Sequence, residues 1–397
     1  MQVFSNSNRL AARALKTAPI LFNSAVQSQK FLSSYSDIID QHQWQHHSNF
    51  SSKSFPSSGQ GSYLLMAAHP MYLRTSNSAA FSTSVEITPT EAVKELYERI
   101  LDSVNVKKSM SPNAWLWSLI NNCKNQEDIK LLFDTLRNLH IFRLANLRIY
   151  DNFNSHLCRE VAKACARVDA IDFGKKTLCK HNIYGLTPSV ASANHLLSYA
   201  KERKDVQLMV EVMGLVKKND IPLQPSTADL VLSICYNAGN WNLISKYSKK
   251  FVKGGVKLRK TAFDMWMEFS IRRGFTESFW KIEKLRSESM QHHTLVSGFS
   301  CAKGLLLEHK PEDAAALIQV LNQTLPDNKK PGIVIELQKL ASEWPLKVIK
   351  HQPKEKRKEV VAALKSGISA MVTRLSEMGL GADVNLDSLT PKEQIPC

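Results

Sequence analysis

No apolar run in this chain of 397 residues reaches the ~18–20 that a membrane-spanning helix needs. No CxxC pair occurs. The seven cysteines (Cys123, Cys158, Cys165, Cys179, Cys235, Cys301 and Cys397) are odd in number. Several sit among apolar helix residues, so reduced, buried thiols are expected rather than a disulfide framework or a zinc site. No stretch alternates polar and apolar residues as a half-buried strand does, and glycine-rich nucleotide loops are absent. The HxE…CxxC pattern of zinc deaminases is missing. So is any aspartate cluster suited to a metal-dependent nuclease: Glu355, Glu359 and Asp383 share no meaningful spacing. No catalytic residue, cofactor or bound metal is therefore expected. Acids are also scarce relative to bases, 36 Asp+Glu against 52 Lys+Arg, which leaves a net charge of +16. That surplus favours an anionic partner, nucleic acid first and a membrane surface second.

The first 81 residues contain six bases (Arg9, Arg13, Lys16, Lys30, Lys53, Arg74), two acids (Asp37, Asp40) and much serine and alanine. Arg9, Arg13 and Lys16 lie at i, i+4 and i+7 and would share one helix face, with Val3, Phe4, Leu10 and Leu15 supplying apolar surface. This is the composition of an organellar presequence, and the cationic face points to the mitochondrial matrix. The triad His42, His46 and His47 falls inside this segment and is read as incidental. The residues after 81 keep 46 bases and 34 acids, so the positive charge belongs to the rest of the chain too.

What the sequence does hold is a repeat. The pentapeptides that begin at Gly185, Asp220 and Gly255 are spaced by 35 residues. Asn194, Asp229 and Asp264 share one phase, Leu197, Leu232 and Met267 another, and Lys204, Gly239 and Gly274 a third. Each block carries two apolar-periodic segments around a polar break, such as Glu202–Asp205 or Asn237–Asn240. Two helices per 35-residue unit imply an all-α fold, an α-solenoid of stacked antiparallel helix pairs. The blocks are 155–189, 190–224, 225–259 and 260–294, with a decayed fifth over 295–330. Helical pairs are expected over 82–154, opened by Thr88-Pro89-Thr90-Glu91 with a threonine cap and a proline at the first turn. A basic helical extension is expected over 331–380 and a disordered tail over 381–397.

Asn237-Ala238-Gly239-Asn240 and Arg272-Arg273-Gly274 resemble the inter-helix turn of pentatricopeptide repeats. Gly185-Leu186-Thr187-Pro188 and Gly255-Val256-Lys257-Leu258 resemble the motif's Gly-Ile-Lys-Pro ending, and Asn194-His195-Leu196-Leu197 its Asn-Thr-Leu-Ile. The resemblance covers about 155–275. It implies a right-handed superhelix in plant organelles that binds single-stranded RNA at about one base per repeat. The fifth residue of each first helix and the last of each unit would read the base. Those pairs are Arg159 with Ser189, Asn194 with Gln224, Asp229 with Arg259, and Asp264 with Thr294. Asp229 and Arg259 could equally form an internal ion pair. The sandwiching second positions hold His156, Ala191, Ser226 and Thr261, poor platforms for a base. Tetratricopeptide repeats share the architecture but have a 34-residue unit and a Trp/Gly/Tyr/Pro pattern that this chain does not show.

Two lysine-rich clusters suit phosphate better than base edges. One comprises Lys246, Lys249, Lys250, Lys253, Lys257, Arg259 and Lys260. The other comprises Lys347, Lys350, His351, Lys354, Lys356, Arg357, Lys358 and Lys365. The expected role is shape- and charge-based contact with rRNA inside the mitochondrial ribosome, beside mitoribosomal proteins. A stand-alone RNA processing or stability factor and a tetratricopeptide-like protein scaffold are the alternatives. The extension from Lys347 to Met378 is expected to lie on a phosphate-lined or protein surface rather than on its own basic repeats. Fusing residues 1–81 to a reporter should deliver it to mitochondria and leave a product trimmed near Phe81. A cytosolic or plastid reporter would sink that expectation.

Overall fold

The computed structural model describes residues 88–380. The expected presequence, its cleavage point near Phe81 and the tail 381–397 lie outside the described residues. Among the described residues every regular element is a helix. Three helices come first: α1 (Glu91–Asn105), α2 (Asn113–Asn122) and α3 (Gln126–Asn146). Five pairs follow. They are α4 (Ser155–Arg167) with α5 (Ile171–Lys176), α6 (Val190–Arg203) with α7 (Val206–Lys218), α8 (Pro225–Asn237) with α9 (Trp241–Lys253), α10 (Lys260–Arg272) with α11 (Thr276–Ser289), and α12 (Leu295–Leu307) with α13 (Pro311–Thr324). The chain then continues through α14 (Pro331–Ser342), α15 (Trp344–Lys350) and α16 (Lys354–Glu377).

Within the five pairs, each first helix starts 35 residues after the previous one, and so does each second helix. The helix starts fall on the block boundaries read from the sequence, and the fifth block keeps the full period. The backbone repeats with them. Asp169, Lys204, Gly239, Gly274 and His309 all take left-handed conformations, with φ of 60°, 56°, 65°, 75° and 59°. In each case the next amide reaches back to close the first helix: Ala170 to Cys165 O, Asp205 to Ala200 O, Asn240 to Cys235 O, Phe275 to Ser270 O and Lys310 to Leu305 O. This is a left-handed helix stop that satisfies otherwise orphaned carbonyls. Glycine takes the conformation without a Cβ clash at Gly239 and Gly274, whereas Lys204 and His309 hold it against that preference. Asp205 and Asn240 then cap the second helix, accepting from the amides of Leu208 and Leu243.

The same period governs burial. Val161-Ala162, Leu196-Leu197, Val231-Leu232, Trp266-Met267 and Cys301-Ala302 are buried at equivalent positions of the five first helices. Met209, Ile244, Phe279 and Ala314 are their counterparts on the second helices. Each first helix packs on its own partner and also on the first helix of the next block: α4 on α6, α6 on α8, α8 on α10, α10 on α12, and α12 on α14. The N-terminal helices join this row through α2, which packs on α4, while α1 packs on α2 and α3. The cap residue of α1 is Thr90 and not the threonine before the proline, Pro89 precedes the helix, and the Thr90 hydroxyl does not cap its own helix. It donates instead to buried Asp128 of α3, at 3.1 Å. The backbone N–H groups of Thr90 and Lys124 reach the same carboxylate at 2.7 and 2.8 Å.

The C-terminal extension departs from expectation. α16 packs along α13 and α12, and α15 against α10. Leu364, Ile368, Met371 and Leu375 form a fully buried stripe on α16, and Trp344 and Val348 are buried on α15. The extension therefore lies on its own repeats. Its charge does not prevent this, because the lysines crowd the first turn of α16 while the apolar stripe begins a turn or more later. Ile368→Ala should lower the stability of the folded chain by roughly 2–5 kcal/mol, read as a fall in melting temperature. Glu359→Ala, on the exposed face, should leave it unchanged. Equal melting of the two variants would show that α16 does not hold this position.

Candidate nucleic-acid interface

Three of the four fifth positions singled out for base reading, Asn194, Asp229 and Asp264, form a ladder of hydrogen bonds between successive blocks. Asn194 of α6 donates from Nδ2 to Ser226 Oγ at 3.1 Å and accepts from Thr227 Oγ1 at 2.8 Å, both on α8. Asp229 of α8 accepts from Thr261 Oγ1 at 3.0 Å and from Arg259 Nη1 at 3.1 Å. Asp264 of α10 accepts from Thr294 Oγ1, the cap of α12, at 2.6 Å. The partner is always the first turn of the next first helix or the residue just before it. Of the two readings open for Asp229 and Arg259, the ion pair is present. Two second positions, Ser226 and Thr261, are the partners of the fifth positions before them. His156 instead lies edge-on to Trp117, with ring centroids 5.1 Å apart. Arg159 is paired with its neighbour Glu160. The ladder uses much of the polar capacity that a base edge would need.

The lysines are placed differently. Lys246, Lys249 and Lys253 stand exposed on α9, Lys257 and Lys260 are exposed in and after the following turn, and Lys250 is half-buried. No acid occurs between Trp241 and Thr261. Arg259 alone of this cluster has a carboxylate within ion-pair distance among the described residues. Burial pushes the Lys250 ammonium below its ordinary pKa, and the charges of Lys217 and Lys246 push it further the same way. Lys217 and Lys218 end α7 on the preceding block, so the basic surface spans two second helices. Sequence reading missed these two because the acid Asp220 follows them closely.

In the C-terminal cluster Lys354, Lys356 and Lys358 are exposed on the first turn of α16. Cations there oppose the positive end of the helix dipole. Arg357 is half-buried and donates to Gln352 O at 3.0 Å and Lys350 O at 3.3 Å, so it closes the end of α15. Lys347 pairs with Glu343 at 3.0 Å. His351 meets Arg273 of the α10–α11 turn, Nδ1 to Nη1, at 3.4 Å.

One buried polar cluster was not visible in the sequence. Arg286 of α11 sits where the other second helices place Val216, Phe251 and Leu321, all buried. Its guanidinium makes two 2.7 Å bonds to Glu283 and donates to the carbonyls of Met290 and His292. His293 Nε2 accepts from Arg286 at 3.3 Å, and burial holds this imidazole below its ordinary pKa. Glu283, His293 and Cys301 bring potential metal ligands within 4.8 Å of one another. The guanidinium already bonds the carboxylate and the imidazole nitrogen that a cation would need, so the cluster is built as an internal ion pair. The six cysteines among the described residues are free thiols, and five are buried. Burial raises Cys123 and Cys235 to about 12 and Cys158 to about 11, which leaves them protonated and unreactive.

No helix among the described residues is long and apolar enough to cross a membrane. No protein-family model matches this sequence, and no curated protein is significantly similar to it.

The ladder has a pH signature at Asp264. Burial raises its pKa above the ordinary 3.8, outweighing the Thr294 hydroxyl that acts in the other direction. A carboxyl whose folded pKa is raised favours folding most when protonated, below its unfolded pKa. That contribution is lost as pH rises through the folded value. Asp264→Asn keeps an acceptor for Thr294 and removes the charge. It should raise the melting temperature at pH 7, by an amount that shrinks as pH falls toward about 4. A lower melting temperature at pH 7 would mean that the charge itself holds the blocks together.

Proposed function

We propose that this chain is an RNA-binding helical-repeat protein of pentatricopeptide type, acting in the plant mitochondrial matrix as a component of the mitochondrial ribosome. The observation that carries the reading is the acid-free stretch from Trp241 to Thr261, with its row of exposed lysines on α9. Such a surface grips phosphate without regard to sequence, each contact adding counterion release. The solenoid form is supported by the contact of every first helix with the next one and by the unbroken 35-residue period, and its right-handed coil is what the pentatricopeptide resemblance implies. The presequence-like first 81 residues support the compartment.

The ladder at Asn194, Asp229 and Asp264 supports the choice of a ribosomal component over a transcript-selective factor. Side chains already bonded between blocks have little left with which to choose a base. Binding on this reading is electrostatic and shape-based: α9 and the basic turn after it hold the phosphates, and the repeats supply a rigid frame. Nothing in the mechanism calls for a bond to be broken.

In mitochondrial lysate the parent protein should co-sediment with a mitoribosomal subunit through moderate salt. The triple variant Lys249→Gln, Lys250→Gln, Lys253→Gln should shift toward light fractions, and Asn194→Ala should not. A parent that runs light with one specific transcript would favour the processing factor. A parent that runs light with a protein partner and resists RNase would favour the scaffold.

A further inference from the structure

The docking of the extension creates a seam that neither the repeats nor the extension holds alone. On one side lies the α10–α11 turn with Arg272, Arg273 and Gly274. On the other lies the link from α15 to α16 with Lys350, His351 and Gln352. The approach is close: a Cβ on Gly274 would stand 2.7 Å from Gln352 Nε2. Arg273 is held in place from two directions. Its Nη2 donates to Gly239 O at 3.2 Å, and its guanidinium faces the Phe269 ring at 5.6 Å. Arg272 lies over Phe269 at 4.9 Å and over Tyr236 at 5.1 Å. Arg273 is therefore oriented by an aromatic face and a backbone carbonyl, and Arg272 by two aromatic rings, with Glu268 and Glu336 acting on the same Tyr236.

The 3.4 Å contact between Arg273 Nη1 and His351 Nδ1 fixes the chemistry of the imidazole. A guanidinium can only donate, so Nδ1 is the acceptor, and the ring proton sits on Nε2, away from the arginine. The charged groups that act on His351 are Arg273, Lys350 and Arg272; no carboxylate is among them. Arg273 and Lys350 belong to no ion pair among the described residues. Around His351 the seam thus gathers oriented N–H donors and positive charge, with no carboxylate among the groups that act on it. A backbone phosphate matches this set, because Arg273 keeps its Nε–H and a second hydrogen on each terminal nitrogen beyond those given to His351 and Gly239, while the His351 Nε2–H, directed away from the arginine, adds a separate donor beside it.

We infer that the seam formed by Arg273 and His351, flanked by Arg272 and Lys350, is a second phosphate-binding point for the RNA backbone, separate from the lysines of α9. It rests on the RNA reading above and adds a contact that exists only while the extension is docked. It also gives the extension a task besides covering α12 and α13.

The test uses the full-length chain and a fluorescent single-stranded RNA of mixed sequence, with affinity measured across a series of salt concentrations. Arg273→Gln should weaken binding roughly tenfold and flatten the log–log salt slope by about 0.7, the share of one phosphate on a single strand. His351→Ala, an exposed change that leaves the Gly239 anchor intact, should weaken binding by a smaller factor without altering the melting temperature. Arg273→Lys should keep most of the slope while losing affinity, since it keeps the charge and loses the fork. The loss in Arg273→Gln should add to that of the α9 triple variant. A parent that binds RNA with a slope unmoved by Arg273→Gln and His351→Ala overturns the seam site alone. A parent that binds no RNA overturns the reading beneath it as well. Tighter capture of a polyglutamate peptide than of RNA, dependent on Arg273, overturns the assignment to phosphate.

Discussion

A first helix in this protein is apolar on more sides than its own partner can cover. Leu196 and Leu197, Val231 and Leu232, Trp266 and Met267 are adjacent residues, so each pair points in two directions around its helix. A single helical pair would leave one of those directions in water, and burying it requires the next first helix. The continuous row from α4 to α14 answers that constraint. The 35-residue period, the left-handed stop at each turn and the bonds between blocks all serve to bring the next first helix into the same place.

From that constraint the distribution of polar groups follows. Side chains at the meeting of two first helices are partly enclosed, so their donors and acceptors must be matched locally. Asn194, Asp229 and Asp264 are matched in this way. The outer faces of second helices carry no such demand and can hold charge freely, which is where α9 places its lysines. Arg286 is the informative exception: a cation at a core position of a second helix, made tolerable by Glu283 and the backbone carbonyls around it. At the far end of the row α16 covers α12 and α13 with Leu364, Ile368, Met371 and Leu375. That is the work of a capping element, and the lysines of its first turn stay in solvent.

Much of this was legible in the sequence because it is written locally. A glycine or a polar residue at the left-handed position, followed by Asp205 or Asn240 as the next cap, is a short-range signal. The apolar spacing of the first helices repeats it, so helix existence and block boundaries could be read directly. The docking of α16 was not legible in the same way. Its stripe has ordinary helical spacing, but Lys354, Lys356, Arg357 and Lys358 dominate the composition, and spacing alone does not say which surface covers a stripe. Asp229 and Arg259 show another limit. Two oppositely charged residues 30 apart in sequence are equally consistent with reading a base and with binding one another, and only their separation of 3.1 Å distinguishes the two. Arg286 and its partners carry no sequence signal, because an arginine at a core position resembles any exposed helix residue until the fold encloses it.

On the proposed function, RNA lies on the lysine face of α9 and on the seam beside Arg273, not along the fifth positions of the first helices. Photo-crosslinking of the full-length protein to single-stranded RNA carrying 4-thiouridine, with the modified peptides mapped by mass spectrometry, distinguishes the two placements. Crosslinks should concentrate in peptides covering residues 241–260 and 344–357, with those covering 190–203 and 225–237 nearly bare. Crosslinks confined to α6 and α8, and centred on Asn194 and Asp229, would place the RNA on the first helices instead.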